Sequence, residues 1–308
     1  MAVDPTDWQA TMDSLQQQAV QQQQELQQQS APQVNPLAKH FRTPAIYIKL
    51  PSGGNYWPPG SLVPTETGEY PVYPMTAKDE VIFNNPDALL NGQAVVDVIQ
   101  SCIPNIKDAW EMPSSDVDTV LIALRIASYG EEMDFDTACP ECEEESSFSI
   151  DLRHFLDKSL NVSLFNQGWQ HNGLTFHLKP QNYRVVNKVS MESYETQRLM
   201  LVIDNADTPE EEKLAQVNKI ISELSAKTIE ISAGVIEKII TPDGLEVTNP
   251  QYIAEFLSNT DRKTFNFVGD KVDEITKNIA IEEIDTTCPE CNHAYKVPFT
   301  FDNANFFG

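Results

Sequence analysis

The chain is 308 residues long, enough to bury a sizeable core and to hold two subdomains. With 46 acidic against 21 basic side chains its net charge is -25, which repels phosphate backbones and anionic membrane surfaces and argues against free nucleic acid as a ligand. No uninterrupted apolar run is long enough to span a bilayer, and Asp4 and Asp7 stand where a signal peptide would carry positive charge, so a soluble, cytosolic protein is expected.

Residues 1–36 form a Gln-rich arm with few large apolar side chains. Met12, Leu15, Ala19, Gln22 and Leu26 fall at alternating three- and four-residue steps, a short heptad seam that Pro32 and Pro36 would end. Two readings stand: a disordered low-complexity tail, or a helix that orders against a partner or a symmetry mate.

From Phe41 the character changes. Ala45 to Leu50 reads as a strand by its β-branched and aromatic content, stopped by the turn Pro51-Ser52-Gly53-Gly54. Tyr56-Trp57-Pro58-Pro59-Gly60 and Pro71-Val72-Tyr73-Pro74-Met75 place aromatic and proline residues on edges or loops, where they serve either contacts between proteins or the core. Thr76 caps a helix with an acidic first turn. A second helical stretch starts at Asn85-Pro86 and carries Val95, Val98, Ile99 and Cys102 on one face, with Cys102 as a buried small hydrophobe. The clearest helix runs from Asp116 to Tyr129 and stops at Gly130.

Two copies of one tetrapeptide follow, Cys139-Pro140-Glu141-Cys142 and Cys288-Pro289-Glu290-Cys291, each preceded by Asp-Thr and followed by a strand-like run. Two cysteines separated by two residues turn both sulfurs toward one point, and two such turns supply the four thiolates of a tetrahedral zinc ion. Ribbon turns of this kind usually carry glycine after the second cysteine because the backbone there takes a positive φ; Glu143 and Asn292 occupy that position here. A redox dithiol is the alternative, but Glu141, Glu143, Glu144 and Glu145 crowd the first pair and negative charge raises a thiol's pKa. Two disulfides would need an oxidising compartment.

Between the turns, Trp169 to Leu178 reads as a β-hairpin about Asn172-Gly173, with His171 and His177 as surface residues. Helices are expected over Asn182 to Ile203, Pro209 to Leu224, Asn249 to Leu257 and onward from Asp261; Ile229 to Val235 is ambiguous. Val235 to Ile240 ends at the turn Pro242-Asp243-Gly244, and the terminal Phe306 and Phe307 are expected to dock within the fold or on a neighbour.

No constellation of nucleophile, base and orienting group is evident, and the five histidines share no spacing that would bring two together, so no enzymatic activity is expected. His293 is a conceivable zinc ligand, but Cys139, Cys142, Cys288 and Cys291 already complete the site, and a closed zinc site folds a protein without catalysing. The expected fold is α+β, mostly helical with short antiparallel sheets and a split zinc ribbon formed by the two Cys-Pro-Glu-Cys turns. The expected organisation is an arm over 1–36, an α+β domain over 37–135, and a ribbon domain over 136–308. Within that ribbon domain, 136–152 and 285–301 form the ribbon and 165–284 is an insertion.

The runs Phe41-Arg42-Thr43-Pro44, Ile46 to Gly54, Val72 to Glu80 and Asn85 to Gly92 resemble the T4-type phage baseplate hub protein family. The stretch Val98 to Pro104, the helix end Arg125 to Gly130 and the two Cys pairs continue the resemblance, which covers most of 41–155 and extends weakly to the C-terminus. It implies a structural virion protein of the central baseplate of a contractile phage tail, made in the host cytoplasm. The implied partners are hub, spike, tail-tube and tape-measure proteins, with copies of the chain meeting about a symmetry axis. A hub assembly factor missing from the finished virion is the alternative; a zinc-ribbon regulator binding nucleic acid is disfavoured by the acidic residues beside the turns. Deleting residues 1–36 is expected to leave a cooperatively folding chain; a truncated protein that aggregates or melts early would place the arm in the core.

Overall fold

The computed structural model describes residues 35–37, 40–85, 88, 91–156, 162–205, 209–279 and 283–298; the heptad positions of the Gln-rich arm and the terminal phenylalanines lie outside these. The chain divides into two compact units, Met1–Arg42 and Thr43–Gly308. In the first, the described residues form a turn in which Leu37 N donates to Asn35 Oδ1 (2.9 Å) and His40 N to Leu37 O (2.8 Å). In the second, helices and short antiparallel sheets surround two clusters of buried apolar side chains.

The first cluster begins with a two-stranded ribbon, β1 (Ile46–Lys49) against β2 (Glu69–Val72), registered Ile46 to Val72. Ile48, Leu50, Tyr70 and Val72 point inward while Tyr47 and Lys49 face out, the two-residue period of a half-buried sheet. Pro71 is tolerated because both strands of the ribbon are edges. Helix α1 (Ala77–Phe83) opens with a capping box, Asp79 N donating to Thr76 Oγ1 (3.2 Å) and Thr76 N to Asp79 Oδ2 (2.8 Å). Helix α2 (Gln93–Cys102) buries Val95, Val98, Ile99 and Cys102, the face read from the sequence; its start is set by Gly92, at φ 78°. Helix α3 (Ser114–Tyr129) buries Val120 through Leu124 on consecutive positions, so it is enclosed on nearly every side and forms the axis of this cluster.

The start of α3 is tied to the turn after β1 by one carboxylate. Asp116, fully buried, accepts from Ser52 N (2.7 Å), Ser52 Oγ (2.6 Å), Trp57 Nε1 (2.9 Å) and, more weakly, Ser115 Oγ (3.4 Å). Burial pushes its carboxyl upward, opposed by these donors. Of the aromatic and proline-rich segments, Val72 is in the core, and Trp57 and Met75 pack against it; Tyr70 beside them is buried, whereas Tyr47 on β1 is exposed.

The second cluster is a four-stranded antiparallel sheet covered by helices. Its strand order is β5 (Gly168–His171), β6 (Leu174–Leu178), β7 (Ile236–Ile240) and β8 (Glu246–Val247). Asn172 (φ 49°) and Gly173 (φ 80°) make the expected tight turn between β5 and β6. Helices α7 (Pro250–Asn259, capped by Asn249) and α8 (Arg262–Ile279) bring Ile253, Leu257, Val268 and Ile275 into one cluster with Phe176, Leu178, Ile236 and Ile239 of the sheet. His171 is not a free surface residue: its ring stacks on Phe267 at 4.4 Å between centroids, and His177 is half-buried.

Two long helices, α5 (Tyr183–Asn205) and α6 (Glu210–Gly234), are inserted between β6 and β7. The ambiguous stretch from Ile229 is the end of α6, which runs ten residues past the expected Leu224 because Ile229 and Ala233, one turn apart, pack on the second cluster. Short helix α4 (Arg153–Leu156) and a 3-10 turn at Val162–Asn166 connect the clusters in sequence. Among the described residues no helix is long and apolar enough to cross a membrane. Replacing Asp116 with Ala would strand Ser52 N–H and the Trp57 indole N–H without acceptors, and is expected to cost about 2–4 kcal/mol in chemical denaturation. A change under about 0.5 kcal/mol would show that the carboxylate does not fasten α3.

Candidate metal centre

Two hairpins carry the Cys-Pro-Glu-Cys turns. Strand β3 (Glu132–Ala138) pairs with β4 (Glu145–Asp151) from Glu132–Asp151 at the base to Ala138–Glu145 at the tip. Strand β9 (Ile284–Thr287) pairs with β10 (Ala294–Val297), with Ala294 opposite Thr287 at its tip. Met133, Ile150 and Ile284 pack the bases against the first apolar cluster, so the cysteines sit at the ends away from it. The lead-in strands β3 and β9 were not expected from the sequence; the alternation Met133, Phe135, Thr137 was the available signal, masked by the acidic residues between.

The two turns are built alike. Cys139 N donates to Glu144 O (2.9 Å) and Glu143 N to Cys139 O (2.9 Å); Cys288 N donates to His293 O (2.9 Å) and Asn292 N to Cys288 O (3.0 Å). Glu143 at φ 61° and Asn292 at φ 58° adopt the left-handed conformation at equivalent positions, directly after the second cysteine of each pair. Asparagine takes this backbone easily; for glutamate it costs on the order of 1 kcal/mol, offset by the hydrogen bonds that close the turn.

The sulfurs of Cys139, Cys142, Cys288 and Cys291 all lie within 4.8 Å of one another. Two approaches cross between the turns: Cys139 Sγ to Cys291 Sγ is 3.7 Å and Cys142 Sγ to Cys288 Sγ is 3.6 Å. A disulfide needs about 2.05 Å, and all five cysteines are free. Cys139 and Cys288, the first of each pair, are buried, while Cys142 and Cys291 are exposed. Cys102 is buried in α2, as expected, and remote in role. His293 stacks on Tyr295 at 6.2 Å and is not part of the cluster.

The thiols do not titrate alike. Backbone N–H groups of Cys291 and Glu290 hold the Cys288 thiol down to about 7 against desolvation. At Cys142 the donation from Glu144 is outweighed by the three neighbouring sulfurs and partial desolvation among them, and the thiol is pushed up to about 12. The first thiolate therefore forms readily and makes the next harder to form, as like charges within 4.8 Å must. A bound cation reverses that repulsion, and these four sulfurs could hold one metal ion.

A family model described as T4 bacteriophage base plate protein matches residues 44–308. The chain belongs to that family. The match takes in both Cys turns and begins one residue into the unit Thr43–Gly308. No curated protein and no solved structure matches the chain. In this base plate protein, replacing Cys288 with Ser is expected to weaken metal binding at least about 100-fold, the upper end of what outer-shell partners alone cost, and to lower the melting midpoint. Unchanged metal content and midpoint would show that the second turn supplies no ligand.

Proposed function

We propose that this base plate protein is a structural component of the central hub of a contractile phage tail, carried in the tail baseplate of the virion after synthesis in the host cytoplasm. Its partners are neighbouring hub, spike, tail-tube and tape-measure proteins, and copies of the chain meet about the hub axis. Zinc on Cys139, Cys142, Cys288 and Cys291 closes a split ribbon from the two hairpins. The observation that carries this reading is the meeting of sulfurs separated by 146 and 152 residues within a chain whose family match spans residues 44–308.

Zinc–sulfur bonds of about 2.3 Å in a tetrahedron put the sulfurs about 3.8 Å apart. The approaches of 3.6 and 3.7 Å match that spacing, and the remaining sulfur pairs, within 4.8 Å, need to close by no more than about 1 Å. Four thiolates leave zinc no exchangeable water, so the ion serves the fold and not a reaction. The exposed carboxylates of Glu141, Glu143, Glu144 and Glu145 around the first turn favour protein neighbours over nucleic acid. Mass spectrometry of purified tails tests the hub assignment: the chain is expected at a fixed ratio to the other baseplate proteins. Its presence in infected-cell extract but not in finished tails would make it an assembly factor instead.

A further inference from the structure

A cavity of about 430 Å³ lies within the unit Thr43–Gly308, bounded by the start of α3, the link from β6 to α5, the end of α6 and one face of α8. Phe165, Leu178, Val272 and Ile275 give it a mainly apolar wall, and the volume suits a small organic group. Two details of that wall lack an internal explanation.

The first is Asp118. Its neighbour in sequence, Asp116, satisfies its charge with four donors, but Asp118 makes no hydrogen bond or ion pair with any described residue. Lys179 and Asp273 also border the cavity, and neither pairs with it. Asp118 is half-buried, and the loss of water around it pushes the carboxyl up to about 6. Near neutral pH it is a charged group without a counterion.

The second is Gly269, in the interior of α8. Apart from proline, glycine is the least favourable residue for a helix interior, and the usual compensation is close approach of a neighbouring backbone. Here a Cβ would meet nothing within 4 Å. Gly269 is exposed at the rim of the cavity, and its missing side chain leaves the mouth clear.

We propose that this cavity receives a lysine side chain from a partner polypeptide, its alkyl stem lying on the apolar wall and its ammonium pairing with Asp118. Charge complementarity selects a cation, since the wall carries two carboxylates, Asp118 and Asp273, against the single ammonium of Lys179, on a chain of net charge -25. The choice of a polypeptide over a free amine rests on the base plate reading; the binding chemistry does not.

Thermal-shift titration of the full chain at pH 8 tests it with n-butylammonium, which is the lysine side chain alone, and Nα-acetyl-lysine amide, which adds the backbone. Butyrate and 1-butanol serve as anionic and neutral controls. Both amines are expected to raise the melting midpoint saturably. Butanol is expected to bind about tenfold more weakly, and butyrate more weakly still. Asp118→Asn should erase the preference for the amines over butanol. At pH 5, where Asp118 is mostly protonated, the unmodified chain should lose that preference too. Gly269→Leu, which improves helix propensity while covering the cavity mouth, should abolish every response. Equal stabilisation by butyrate, or an amine response that survives Gly269→Leu, would overturn the site. Binding of n-butylammonium but not of the capped lysine would assign it to free amines and overturn the polypeptide occupant.

Discussion

Four sulfurs from two distant turns meet within 4.8 Å, and the arrangement of the rest of the unit follows from that meeting. A two-stranded hairpin has two edges and little buried surface, so it is marginal by itself in water. Here both hairpins are fixed at their bases by Met133, Ile150 and Ile284 on the first apolar cluster, and their tips meet through the four cysteines. Drawing the tips together closes a chain segment of about 150 residues, which contains the whole second cluster and the α5–α6 pair. Closure of so long a loop is entropically unfavourable and needs a strong local interaction. Metal–thiolate bonding is of the right strength, whereas ionised sulfurs this close repel one another without a cation between them.

The same economy of fastening recurs away from the cysteines. Asp116 joins the start of α3 to the Ser52 turn and the Trp57 indole, so a helix enclosed by apolar contacts is also fixed against rotation by directed hydrogen bonds. Capping at Thr76 and Asn249 sets where α1 and α7 begin. Each of these contacts is polar and tightly defined, and each lies where one element must be held in register with another. This suits the structural role in the baseplate proposed above.

Much of this was legible in the sequence wherever the signal was local. Asn172-Gly173 marked a hairpin because tight turns demand positive φ, and Thr76 and Asn249-Pro250 marked helix starts because unpaired N–H groups demand acceptors. The repeated tetrapeptide gave away a long-range contact because the chemistry of four sulfurs is shared by both halves. What escaped notice depended on distant partners or on weak periodicity. The link from Asp116 to Ser52 crosses 64 residues and carries no motif. The strand β9 has four residues, too few for an alternating pattern to stand out, and α6 outran its expected end because the packing of Ile229 and Ala233 is a tertiary effect. Asp118 and Gly269 look ordinary in sequence; the cavity they share exists only in the fold.

The central claim is that one zinc ion joins the two Cys-Pro-Glu-Cys turns. X-ray absorption at the zinc edge, on the purified full chain with its metal counted, tests it most directly. The account predicts one zinc per chain with four sulfur neighbours at about 2.3 Å and no nitrogen or oxygen in the first coordination shell. A metal-free folded chain, or a zinc bound by two sulfurs and completed by nitrogen or oxygen, would contradict it.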